Sequence, residues 1–240
     1  ANGASLANLY KIKILPPRFR YSVMEYWMDK ESHSIYKGIG SVKFMNQSCA
    51  DDLYNLRDNH YNSFVDLLRD IYEKTSVNSR QLDILIKLDF FEEFGNAKEL
   101  LRLVKMYDMF GTAKTLKKEK LANSDVVKAI VERHSIGTTK AGKESKSYTQ
   151  LDNMAILNEC ETLVMSLGIK PMTIKEKAEI QKEYMGYVDI ATGKQEDRPK
   201  LYILDVKTLK SKASGRVWAR QITAQSIGSG KQSNYTITSK

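Results

Sequence analysis

The chain reads as an α+β protein: a helical domain, a helical connector and a C-terminal antiparallel β segment. Three patterns predict this. Between Asn46 and Phe110 apolar residues recur every three or four positions, as on one face of a helix. The same spacing returns over Asp152–Leu167. From Leu201 onward the pattern changes to alternation between Gly-containing turns, which is the signature of strands.

The elements follow in order. Residues 9–15, LYKIKIL, alternate and predict a strand that Pro16-Pro17 ends. VMEYWMD (23–29) and SIYKGIGSVKF (34–44) are short, aromatic or β-branched, and predict extended or irregular structure around turns. Cys49, Leu53 and Leu56 open the first helical stripe. Ser63, three residues before Asp66, is placed to cap the next helix, with Leu67, Leu68, Ile71 and Tyr72 as its apolar stripe. Ser79 is expected to cap a helix over residues 80–94 that Gly95 stops, and Ala97–Phe110 follows. Residues 112–122 are basic and expected at the surface, and a short helix is expected over Ser124–His134. Residues 136–150, IGTTKAGKESKSYTQ, are rich in Gly, Ser, Thr and Lys and predict a mobile loop. Thr173 is expected to cap a helix over residues 174–184, and 187–199 read as a polar linker. LYILDVKTLK (201–210), RVWARQITAQ (216–225) and QSNYTI (232–237) predict a β-meander. The expected divisions are 1–45, 46–111, 112–199 and 200–240.

Composition narrows the function. No window approaches the roughly 18 consecutive apolar residues of a membrane helix, and residues 1–10 lack the basic start and apolar run of a signal peptide. The two cysteines, Cys49 and Cys160, form no C-x-x-C, and the three histidines stand at no metal-ligand spacing. A reduced, cytoplasmic setting is the expectation, with no membrane partner. The net charge is +9, and residues 200–240 carry eight Lys or Arg against one acid, Asp205, or 8 − 1 = +7. The other 199 residues are close to neutral. A basic meander carrying Trp218 and Tyr235 suits a small barrel that binds single-stranded nucleic acid by stacking and charge. The alternatives are a solvated basic face with no partner, and core positions for the two aromatics; for any single aromatic the core is favoured, because large rings carry much of a core's burial.

Four stretches, taken together and in order, carry a resemblance. YKIKILPPRFRYS and then YKGIGSVK, RQLDILIKLDFFEEFGNAKELL (80–101), KEYMGYVDI (182–190) and LYILDVKTLKSKASG resemble, over nearly the whole chain, the bacterial and phage DNA polymerase III alpha subunits. The resemblance implies the end of the fingers, a helix-hairpin-helix domain, a connector and the first part of an OB-fold. It implies a fragment lying after the palm, without polymerising acids and inactive alone. Mg2+ belongs to the parent family, and no cofactor is expected in this region. Asp51-Asp52 and Glu92-Glu93 are therefore expected on solvated helix faces, not at a metal.

The implied role is a non-catalytic DNA-binding region that grips duplex and single-stranded template during replication. The expected contacts are Lys43 and Ser41 at the hairpin's opening, and Lys207, Lys210, Lys212, Arg216, Trp218 and Arg220 on the first barrel hairpin. The family's phosphate-facing glycine pair is matched here by Phe44, Met45 and Asn46, so that turn departs from the pattern. Gly38 and Gly40 match an earlier pair and are read as a packing turn. MYDMF (106–110) resembles the family's sliding-clamp peptide in Asp108, Met109 and Phe110, with Met106 in place of the glutamine. The alternative function is accordingly a protein-interaction module that docks a sliding clamp or another replisome subunit. The same apolar residues also fit an ordinary amphipathic helix end.

Overall fold

The structure is a computed structural model that describes residues 9–189, 201–211, 214–226 and 230–238. It divides into two compact units, Ala1–Met172 and Thr173–Lys240.

The first unit opens with a three-stranded sheet of order β1-β3-β2. Strand β1 (Lys13–Leu15) runs parallel to β3 (Ser34–Tyr36), and β2 (Trp27–Asp29) pairs antiparallel with β3. The strand expected over 9–15 is shorter because Lys11 has φ 55°, outside the extended region. Beyond the prolines, Phe19 is buried among Tyr61, Phe90, Phe91 and Phe94, at centroid distances of 5.6–6.4 Å.

Four helices build the core: α1 (Gln47–Asn55), α2 (Phe64–Lys74), α3 (Ser79–Lys87) and α4 (Ala97–Phe110). Ser63 caps α2 as expected, accepting from the Asp66 amide at 3.1 Å. The cap of α3 is Asn78 and not Ser79. Asn78 and Gln81 exchange side-chain and backbone bonds, which satisfies two orphan amides at once. Helix α3 also ends earlier than expected. Asp89 turns the chain with φ 59°, which sends Phe90 and Phe91 into the core. A single 3-10 turn, Glu92–Phe94, then reaches Gly95 at φ 146°.

Residues 112–150 hold more structure than their composition suggests. Strands β4 (Thr115–Lys117), β5 (Ile136–Thr138) and β6 (Glu144–Thr149) form an antiparallel sheet of order β4-β6-β5, beside helix α5 (Asp125–Arg133). The stretch expected to be a loop is therefore largely a β-hairpin. Tyr148 accounts for it: its ring is buried and its hydroxyl donates to Glu132 at 2.7 Å. The ring also lies 5.2 Å from the Lys118 ammonium.

Helix α6 (Asn153–Ser166) buries Ile156, Leu157, Cys160 and Val164 in the same core. It also contributes Glu161, a buried carboxylate that accepts from the amides of Phe64 at 2.8 Å and Val65 at 3.0 Å. A charge from one helix thus satisfies the otherwise unpaired, buried amides at the start of another.

In the second unit, α7 (Ile174–Met185) carries the expected Thr173 cap in a Thr173–Glu176 capping box, and ends at Gly186 with φ 78°. Strands β7 (Leu201–Lys210), β8 (Val217–Ser226) and β9 (Gln232–Thr238) form the expected antiparallel meander. It is compatible with the opening of an OB-fold. The register shifts between Ile203 and Asp205 and again between Leu209 and Lys210. Most of the expected linker, from residue 190 onward, lies outside the described residues, as do parts of both turns of the meander.

Candidate nucleic-acid interface

The two closely spaced glycines are packing residues. A Cβ on Gly38 would stand 2.2 Å from the carbonyl oxygens of Met24 and Glu25, and one on Gly40 would stand 2.7 Å from that of Met24. The amides of Ile39 and Gly40 donate to Val23 and Met24 at 3.0 and 2.9 Å. These amides are occupied, so this turn has none of them left for a phosphate. The 3-10 turn Ile39–Ser41 is thereby fixed against residues 23–25.

The next turn is different. Ser41 and Lys43 are exposed, on either side of buried Val42. Phe44 has φ 70°, the left-handed conformation that glycine adopts freely. A bulky residue there costs about 1 kcal/mol. The glycines of this hairpin are gone, yet the backbone keeps a geometry that glycine favours. Asn46 then caps α1, accepting from the Cys49 amide at 2.9 Å. Gln81, buried in α3, donates to the Phe44 carbonyl at 3.0 Å and so fastens the turn to the start of α3. Arg80 beside it places its guanidinium 3.5 Å from the centre of the Phe44 ring.

The electrostatics of this corner favour an anion. Neither α1 nor α3 has an acid in its first turn, a feature shared with α6, whereas α2, α4, α5 and α7 carry Asp66, Glu99, Asp125 and Glu176 there. The acids one turn further along are engaged: Asp51 with Gln47 at 2.8 Å, Asp52 with Ser76 at 2.7 Å and Asp83 with Lys87 at 2.6 Å. Among the described residues neither Lys43 nor Arg80 has a carboxylate partner.

The basic meander separates the residues expected to act together. Cross-strand pairing puts Val206 opposite Ile222 and Tyr235, and Thr208 opposite Arg220 and Ile237. By alternation these share one face, while Lys207, opposite Gln221 and Thr236, points from the other. Trp218 sits at the irregularity between the pairs Leu209–Ala219 and Lys210–Val217. Trp218 and Tyr235 are 49% and 44% exposed, so neither is the core residue that its size predicted. The sheet is too small to cover both of its faces. Lys210 and Arg216 are exposed, and Lys212 lies outside the described residues. The face bearing Tyr235 holds an open groove of about 640 Å³ walled by Leu201, Ile203, Ile222 and Ile237.

The remaining sequence candidates fall elsewhere. Asp108 accepts from the Tyr72 hydroxyl at 2.7 Å, and Phe110 is 1% exposed at the end of α4. Of the three residues matched to a clamp peptide, Met109 alone offers apolar surface. Glu92 and Glu93 bind Arg18 at 2.6 Å and Arg20 at 2.8 Å, which ties the strand–helix link to the end of α3. These paired acids act as structural anchors. The ring–guanidinium contact of Phe44 and Arg80 escaped the sequence reading, since the two residues are 36 positions apart and neither lies on a periodic stripe.

Comparison with known proteins bears on this region. Residues 11–101 match the family model of a helix-hairpin-helix motif, a span that runs from the residues before β1 into α4 and is less than half of the chain. No curated protein matches the chain. Among the described residues no helix is long and apolar enough to cross a membrane. The chain therefore contains a region similar to a helix-hairpin-helix motif, and such a motif points to nucleic acid as the partner.

Proposed function

We propose that this chain is a non-catalytic DNA-binding region of a replicative polymerase of the III alpha type. The observation that carries the proposal is the coincidence of two independent facts. The helix-hairpin-helix match spans α1 and α3, and the corner where these helices begin is free of first-turn acids and bears the unpaired cations Lys43 and Arg80. The helical unit holds duplex DNA through its phosphates, with Lys43 as a point charge and Ser41 as a donor, without sequence preference. The meander contributes a second contact, to single-stranded template, through Trp218, Arg220, Lys210, Arg216 and Lys212, with Lys207 adding charge from the opposite face. The polymerase assignment rests on the order of the four motifs along the chain.

Fluorescence anisotropy with closed duplex, single strand and primer–template DNA across a salt series tests this. Affinity should fall steeply with salt, by about 0.9 logarithmic unit per logarithmic unit of salt for each duplex phosphate neutralised. The K43A variant should lose about one such unit on duplex DNA. Combined alanine substitution of Lys207, Lys210, Lys212, Arg216 and Arg220 should lose several on single strands. Absence of binding at low salt, or slopes unchanged in both variants, overturns the proposal. Equal affinity for duplex and primer–template DNA removes the polymerase assignment while leaving DNA binding in place.

A further inference from the structure

From the Phe44–Arg80 stack we infer a stacking site for one unpaired nucleobase on the hairpin of the helical unit. The inference rests on the DNA-binding reading above and adds to it the kind of DNA that this surface selects.

The ring is displayed and rigidly held. Phe44 is 49% exposed and lies outside the hydrophobic core, while its neighbours Val42 and Met45 pack inward. Its backbone is in a conformation that glycine or asparagine enters more easily. Neither packing nor backbone geometry therefore asks for an aromatic side chain here. The turn is nonetheless pinned at the Phe44 carbonyl by Gln81, whose own side chain is locked in the Asn78 capping box. The backbone that carries the ring is set before any ligand arrives, and the Arg80 guanidinium braces the ring itself, so little order remains to be imposed on binding.

One face of the ring is already covered. The Arg80 guanidinium lies 3.5 Å above its centre, leaving the other face for a flat partner. A base on that face makes a guanidinium–ring–base stack. The N–H edge of Arg80 and the ammonium of Lys43, both without carboxylate partners, remain for the phosphates on either side of the base. The chemistry required is a planar π-system flanked by negative charge, which is a nucleotide whose base is not stacked in a helix. Bases within a closed duplex are stacked on both faces and do not qualify. A hairpin built of glycines grips any duplex through its amides; this hairpin favours a duplex carrying a dangling, flapped or extrahelical base.

The test uses the full chain and two DNAs: a blunt duplex, and the same duplex with a single 3′-dangling 2-aminopurine. The wild-type protein should bind the second about tenfold more tightly, in line with one aromatic–base stack, and should quench the 2-aminopurine fluorescence. F44G suits the left-handed backbone and should fold at least as well, checked by its unfolding transition. It should keep duplex affinity but lose both the preference and the quenching. F44W should retain both. Equal wild-type affinity for the two DNAs, or a preference and quenching that survive F44G, overturns the inference while DNA binding stands. So does a loss of affinity in F44G that is the same for both DNAs. No binding to either DNA overturns the reading beneath it.

Discussion

The helical unit and the C-terminal meander treat their charged and aromatic residues in opposite ways. In the helical unit Phe19, Phe64, Phe90 and Phe91 are core, Arg18 and Arg20 are consumed by Glu92 and Glu93, and Glu161 is spent on the start of α2. At one corner of it Lys43 and Arg80 stand beside an exposed ring, Phe44, on a turn that Gln81 fastens in place. In the meander Trp218, Tyr235, Val206 and Ile237 face outward, and Lys210, Arg216 and Arg220 are exposed. Charge density therefore ranks the meander first as a binding surface, yet the motif match falls on the helical unit. A basic count measures how much charge is free in total, whereas a built site depends on which charges lack partners and what holds them in place.

Substitutions can break this contrast, and the largest effect is expected at Glu161. E161A leaves two buried amides without an acceptor and should destabilise the helical unit by about 3 kcal/mol, read by denaturant unfolding. A change under about 1 kcal/mol would show that the carboxylate is not what holds α2, and that charges in this unit are less committed than the contrast requires. G38A comes next. The added Cβ meets two carbonyl oxygens, so a loss of about 2 kcal/mol is expected, with residues 23–25 losing amide-exchange protection first.

A smaller effect is tied to pH. Arg133, and then His134, hydrogen-bond to Glu159 and hold its carboxyl down at about 2, against an ordinary value of 4.5. A depressed carboxylate stabilises the fold above its ordinary value, and that contribution fades as pH falls from about 4.5 toward 2. Thermal unfolding of wild type and E159Q should therefore differ near neutrality and converge across that window. A constant difference down to pH 2 would assign the effect to packing. The smallest expected effect is that of W218A on stability, within about 0.5 kcal/mol, because the ring is exposed. Its single-strand affinity should nevertheless fall, and a large stability loss would return Trp218 to the core and erase the contrast.

Much of this was legible in the sequence. The helical recurrence of apolar residues placed α2 and, in the first half of the span expected over 80–94, α3, because burial with a helical period leaves a strong one-dimensional trace; of the α2 stripe, Leu67, Leu68 and Ile71 are buried and Tyr72 is exposed. The meander was legible for the same reason, with period two. Three features were not. The cap of α3 lay one residue early, since both Asn78 and Ser79 are good caps and only the partner Gln81 decides between them. The β5–β6 hairpin depends on one buried tyrosine in a polar stretch, too sparse to make a pattern. The Phe44–Arg80 contact joins distant residues, and its left-handed backbone follows from a turn whose residue types do not announce it.

Finally, both cysteines are fully buried, Cys49 on α1 and Cys160 on α6, and burial pushes each thiol up to about 11. Neither is a competent nucleophile while the helices are packed. Maleimides and disulfide reagents should therefore react with each thiol only when its helix opens. Labelling kinetics then act as a clock for breathing of the helical unit. A cysteine introduced anywhere on the surface, including the hairpin or the sheet, can carry a single dye without first removing the native pair.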